Sequence, residues 1–428
     1  MSTMKTTEEQ RNGDYSKVVD HYAPPPNGLW GKYDNVRRFW ENQISSFALQ
    51  PALSSLRNKV GGLRGLRVLD LGCGSGEGWN LILHTPDPEA PVHDTTSQLL
   101  NESDVEMYVG IDLCADMVEV ARERFRNRPN MRFETGDMAQ LELRRRGIPP
   151  CDLYYSSYGG PSHLKDEDMV KMLTEIARHM RGHAVVVVDL LGQFSPEWPN
   201  YWGYSNKPGV EKLQPYNMSW LYPPEEQDGR VDEFSDYRIR YWSGREMTDF
   251  CKRTLSSAGL RNIRIRMVDR SILVGRHMDT SQFNGTAPSL RRAVNSLFDL
   301  QYRTCPTALR STFKPPAHAP AEIARFHELY RNAWNGLVDV FHACFADTGN
   351  APEVLAQVER ENDLPPSVRE SLEGLVQQAS GIGWLKVGDP RSQALEPQFG
   401  LILRQLEFLM QRGLGCGHGL MAVLELER

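Results

Sequence analysis

The chain is poor in the features that would assign it to several large protein classes. Its seven cysteines, Cys73, Cys114, Cys151, Cys251, Cys305, Cys344 and Cys416, are scattered, and none forms a Cys-x-x-Cys pair. A disulfide framework and a structural zinc site are therefore not expected, and a reducing, cytoplasmic setting is. His179 and His183 have a ligand-like spacing, but no cysteine pair stands ready to complete a site with them, so no metal is expected. The longest apolar run, residues 184–191, carries Asp189 and is far too short to span a bilayer. Residues 1–17 are polar and mixed in charge, unlike a signal or transit peptide. There is no excess of positive charge: the net charge is −6, which argues against nucleic acid or an anionic membrane as partner. The run Arg144, Arg145, Arg146 reads as a solvated surface.

What the chain does have is glycine in one place. The stretch Val68-Leu-Asp-Leu-Gly-Cys-Gly-Ser-Gly-Glu-Gly78 begins as a short apolar strand, takes an acid at Asp70, and then alternates glycine. Glycine tolerates positive φ and lets a ligand approach the backbone. The spacing is Gly-x-Gly-x-Gly, not the Gly-x-Gly-x-x-Gly that seats a pyrophosphate, so a ligand without phosphates suits it better. A second strand, residues 106–112, ends in an acid, Asp112, 40 residues beyond Gly72. Removing the polar, proline-bearing segment 84–105 leaves 18, close to the distance at which such folds place a ribose-binding acid. Further strands are expected at 131–137, 151–156, 184–189, 263–268 and 271–275, with helices between them. The architecture predicted is an open, mostly parallel seven-stranded α/β sheet.

These motifs resemble those of the class I S-adenosylmethionine (SAM)-dependent methyltransferases over roughly residues 60–276. The resemblance implies a Rossmann-like sheet and SAM as cofactor. By it, Asp70, Gly72, Cys73 and Gly74 wrap the methionine part, Asp112 accepts both ribose hydroxyls, and Leu113 packs on the adenine. Asp137 and Met138 address the adenine amino group and ring, while Ser156 and Ser157 lie beside the methyl-bearing sulfur. Tyr33 and Arg38 become candidates for a helical lid formed by residues 1–60. Methyl transfer needs alignment and exclusion of water, plus a base if the acceptor bears a proton. His163 is the candidate base, and Tyr158 the candidate oxygen or π face near the sulfonium. After strand four the chain reads Ser156-Ser-Tyr-Gly-Gly-Pro, not the Asn/Asp-Pro-Pro-Tyr/Phe of methyltransferases that grip a planar amide or base nitrogen.

Residues 194–242 hold 12 aromatics in 49 positions, a density well above the 9% of the whole chain. A loop so long inside a compact domain is uncommon and often functional. It is expected to wall the acceptor pocket through Trp198, Tyr201, Trp202, Tyr204, Tyr216 and Trp220, together with Tyr158. The cofactor domain is placed at 61–278, and 279–428 as a mostly helical C-terminal subdomain, a candidate dimerisation surface. The leading expectation is a methyltransferase acting on a small molecule, such as a natural product. The alternatives are a protein or peptide acceptor docked on the C-terminal subdomain, an aminopropyl-transfer enzyme, and a SAM-binding regulator without turnover.

Overall fold

The computed structural model describes residues 15–22, 31–60, 62, 64–91, 98–203, 212–227, 229–230, 237–278, 280, 283, 290–346 and 349–428. Five parallel strands form its centre: β1 Leu66–Leu71, β2 Val105–Asp112, β3 Met131–Thr135, β4 Leu153–Ser156 and β5 His183–Gly192. They lie in the order β3-β2-β1-β4-β5. Four of them are the strands expected from the apolar runs between turn signals, and β5 extends the expected one to residue 192. Val185 and Val187 pack into one core while Val186 and Val188 pack into the other, so β5 is buried on both faces.

Within the aromatic segment, β6 Leu213–Pro215 pairs antiparallel with β7 Arg238–Trp242. β7 in turn joins the end of β5 at Leu191 and Gly192. Helix α1 Asn42–Val60, the last part of the predicted N-terminal lid, turns Ile44, Ala48, Leu49, Leu53 and Leu56 into the core. On the opposite face, α4 Asp166–His179 and α5 Gly244–Ser257 bury Met169, Leu173, Ile176 and Met247. Between α1 and α4 in sequence come the short α2 Gly78–Leu83 and α3 Ala115–Arg124, which cover the glycine turn and β2.

The sheet is completed differently from the expectation. β8 Asn262–Arg270 contains the predicted 263–268 strand, but 271–275 is not a strand. Ser271 has φ +59, and the amides of Ser271 and Ile272 donate to the buried Glu407 carboxylate at 2.7 and 2.8 Å instead of to a ladder. The missing strand is the C-terminal β9 Gly419–Glu427, which runs antiparallel between β5 and β8 and pairs with both along its whole length. The helices α6 Leu290–Leu297, α7 Ala321–Ala346, α8 Ala351–Glu361, α9 Pro366–Gly381 and α10 Glu396–Met410 are therefore an excursion between β8 and β9. Their apolar stripes, including Phe326, Tyr330, Leu337, Leu372 and Leu403, join the same core as α1.

The return from α10 to β9 is a glycine thread. Asp269 gathers the amides of Leu414, Gly415 and Cys416 at 2.8 to 2.9 Å, and that turn holds the chain against β5 and β8. Gly415 has φ +88, and a Cβ there would meet the Trp242 carbonyl oxygen at 2.6 Å. Gly415→Ala should therefore cost at least about 2 kcal/mol through overpacking and positive φ. Urea denaturation measures it; a loss under about 0.5 kcal/mol would contradict this close packing.

Candidate active site

The C-terminal ends of β1, β2, β4 and β5 open into one cleft of about 1140 Å³. Ligands in open α/β sheets bind at this edge. The glycine turn forms its floor. Gly72 and Gly74 have φ +69 and +51. The amides of Gly72 and Cys73 donate to Ile111 O at 2.7 and 3.1 Å, which ties the turn to β2. Asp112 completes the tie: its two carboxylate oxygens accept from the amides of Gly74 at 2.7 Å and Cys114 at 2.9 Å. Burial raises the Asp112 carboxyl above its ordinary range, against those amides. A Cβ on Gly72 would meet Met138 Cε at 2.9 Å, whereas one on Gly74 would meet nothing within 4 Å. The turn is thus tight on one side and open on the other.

Beyond Asp112, Leu113 is 49% exposed and lines the same cleft with Asp137 and Met138. Asp137 accepts from the Ala139 amide at 2.8 Å, which points its carboxyl region along the cleft edge. Two predicted cofactor residues lie beneath the surface instead. Asp70 is fully buried; Tyr108 donates to one oxygen, and the other has no hydrogen-bond partner. Burial pushes the Asp70 carboxyl up to about 7, with Tyr108 opposing. Ser156 donates to Leu71 O at 2.5 Å and pins β4 to β1, so the cleft is reached by Ser157.

The N-terminal segment supplies different residues from those expected. Tyr33 donates to Glu77 and does not line the cleft; nor does Arg38, whose guanidinium lies over Phe39. Lys32 and Arg37 do line it, at 3.1 and 2.8 Å from Glu77. Burial pulls the Lys32 ammonium down to about 7, against the attraction of Glu77. Glu77 sits inside the glycine run, an acid where the alternation would allow any residue, and that was the available signal for a cationic clamp.

At the far end, Tyr158 takes φ +59 as its amide donates to Asp189 at 2.7 Å and its hydroxyl to Asn42 at 2.9 Å. The Arg37 guanidinium lies 3.3 Å from the centre of its ring. Tyr216 and Trp220 line this end, with Arg276 over Trp220 at 4.6 Å and paired to Glu41 at 3.0 Å. Arg270 also lines it, held by Asp189 at 2.9 Å. Of the other aromatic candidates, Trp198 and Trp202 are core, their indole N–H groups spent on Gly192 O and Ser195 O. Tyr201 stacks on Tyr241 and also stays out of the cleft, and Tyr204 lies outside the described residues.

His163 reaches the cleft with both ring nitrogens engaged. Nδ1 faces Arg238 O at 2.8 Å and so donates; Nε2 is left to accept from Tyr15 Oη at 2.6 Å. Burial pulls the ring down to about 4.

Residues 94–183, from ahead of β2 to the start of β5, match a family model described as a methyltransferase domain. By that match, this segment is a methyltransferase domain. No curated protein matches the chain. Among solved structures it is similar to SAM-bound CalS10, an amino pentose methyltransferase from Micromonospora echinaspora, at 16% identity and TM-score 0.25. That alignment covers 40% of this chain and 54% of CalS10, so the chain spans about half of that protein. It is also similar to an S-adenosylmethionine-dependent methyltransferase from Clostridium acetobutylicum, at 14% identity, 54% and 83% coverage and TM-score 0.33.

The cleft fits the S-adenosylmethionine that the sequence motifs lead one to expect, on its own geometry. The open cradle at Gly74 admits a chain against the backbone, and Asp112 and Asp137 can accept hydroxyl and amino protons. Lys32 and Arg37 offer cations to a carboxylate. Asp112→Ala should weaken binding of S-adenosylhomocysteine by at least about tenfold, or 1.4 kcal/mol. Isothermal calorimetry reads it, and an unchanged affinity would refute the assignment. His163 yields a second prediction. Between about pH 4 and its unfolded value of 6.5 the unfolded chain binds the extra proton, so His163 makes stability rise with pH across that window. His163→Gln should flatten the rise by up to about 1.4 kcal/mol per pH unit in urea titrations.

Proposed function

We propose that this methyltransferase acts on a small-molecule acceptor with an aromatic or hydrophobic body, of the kind found among natural products. The observation that carries this reading is the composition of the cleft beyond Tyr158: Tyr216 and Trp220 from the aromatic segment, with Arg270 and Arg276. The cleft volume also exceeds the roughly 300–1,000 Å³ typical of a site for one drug-sized ligand, which leaves room for cofactor and acceptor together.

When bound, SAM supplies an electrophilic methyl on a sulfonium. In this reading Asp112 and Asp137 hold the nucleoside, and Lys32 and Arg37 hold the methionine carboxylate. Tyr158, Tyr216 and Trp220 position the acceptor and keep water out, the main contributions an in-line displacement requires. A macromolecular acceptor docked on residues 279–428 has less support. The apolar faces of those helices are occupied by the core, and β9 belongs to the sheet.

The test is transfer of tritiated methyl from SAM to a panel of simple phenols, hydroxylated aromatic acids and amines, run beside a peptide library. Transfer to peptides alone would overturn the proposal. Trp220→Ala should raise the KM of an accepted small molecule roughly tenfold or more, by loss of about 1.4 kcal/mol or more of aromatic contact, with the affinity for S-adenosylhomocysteine unchanged.

A further inference from the structure

We propose that His418, held by the buried Glu197, is the general base that takes the acceptor's proton. The inference rests on the methyltransferase reading and names a residue within it. His418 stands at the end of the glycine thread, immediately before β9. Its carbonyl accepts from the Gly192 amide at 3.0 Å and its amide donates to Ser271 O at 3.1 Å. The backbone is thus fixed to the end of β5 and to the chain leaving β8. The side chain lines the cleft.

Its Nδ1 lies 2.9 and 3.2 Å from the two carboxylate oxygens of Glu197. Glu197 is fully buried and also accepts from Ser195 Oγ at 2.9 Å and from the His277 amide. Burial opposes its charge, but His418 and His277 together hold the carboxyl below its ordinary range. Gly275 makes the arrangement sterically feasible, because a Cβ there would occupy the place of the Glu197 carboxylate. A carboxylate can only accept, so Nδ1 carries the hydrogen and a neutral ring keeps its lone pair on Nε2. Nε2 has no hydrogen-bond partner among the described residues, and the side chain is 11% exposed at the cleft. His163 is the opposite case, with both nitrogens already engaged.

The other ionisable groups around this pair are His277, Tyr216, Tyr241, Arg270 and Arg276. Burial pulls His277 down to about 3 and pushes both phenols up, so none of these three competes for a proton near neutral pH. The acceptor is then a molecule with a proton-bearing oxygen or nitrogen. Its lone pair forms the bond to the methyl carbon as the carbon–sulfur bond breaks and that electron pair goes to sulfur. The acceptor proton passes to Nε2, and the imidazolium stays paired with Glu197 until water removes the proton.

The experiment uses the full chain. In ¹⁵N-histidine-labelled wild type at pH 7.5, His418 should be the Nδ1–H tautomer, and Glu197→Gln should abolish that preference. Diethylpyrocarbonate, followed by peptide mass mapping, should modify His418 and leave His163 unmodified. With the phenol panel, His418→Gln should lower kcat at least 100-fold, while S-adenosylhomocysteine binds within twofold of wild type. Glu197→Gln, as a positioning variant, should fall in the same direction, with Glu197→Asp partly restoring the rate. An Nε2–H tautomer, an unreactive His418 or a His418→Gln rate within fivefold of wild type would each overturn the assignment. Failure of wild type to bind S-adenosylhomocysteine would instead overturn the methyltransferase reading, and the tautomer would still report on the pair.

Discussion

The placement of β9 between β5 and β8 is the constraint on which the rest of this structure depends. A strand buried on both edges and both faces leaves no backbone group for water, so its ladders to both neighbours must form together. To enter that slot the chain has to pass close to the ends of β5 and β8. Only glycine allows this: at Gly415 and Gly417 a side chain would collide with the carbonyls of Trp242 and Arg270. Once the thread is seated, His418 has one place to go, and the helices that precede it are drawn onto the core shared with α1.

The second organising feature is a contiguous set of buried charges along the cleft. Four carboxylates, Asp34, Glu41, Glu77 and Asp189, are paired with five cations, Lys32, Arg37, Arg270, Arg276 and Arg291. Burying such pairs carries a desolvation penalty that their mutual attraction offsets only with good geometry. Bidentate contacts such as Arg291 with Asp34 meet that requirement. The set joins the segment 31–41, the glycine turn and the end of β8 into one wall.

The parallel half of the sheet was legible because its signals are local. Apolar runs of four to eight residues ending in Asp70, Asp112 or Ser156 announce buried strands and the loops beyond them. The cleft residues Gly72, Cys73, Gly74, Asp112, Leu113, Asp137, Met138 and Ser157 followed from the resemblance to class I SAM-dependent methyltransferases, carried over onto those strand ends. Ser271 to Gly275 misled because a short apolar run has no way to show that its amides are claimed by Glu407, more than 130 residues away. The aromatic segment misled in a related way. Trp198 and Trp202 are as hydrophobic as Trp220, but backbone carbonyls nearby satisfy their indoles and draw them into the core.

By itself the sequence determined the glycine-turn half of the cleft: the strands, the turn with its positive φ, and the acids at strand ends are all short-range consequences of residue type and spacing. The tertiary structure alone decided the half beyond Tyr158. Arg37 rather than Arg38 faces the cleft because the helical turn at Arg37–Glu41 presents one and not the other. His163 is occupied because Tyr15 and Arg238 converge on it from distant parts of the chain. Glu197 and His418 meet across 221 residues because β9 returns to the sheet. The glycines that alternate around His418 permit a close backbone approach, but do not say what is approached. Such pairings form only when the long-range ladders are in register, and no local pattern encodes the partner.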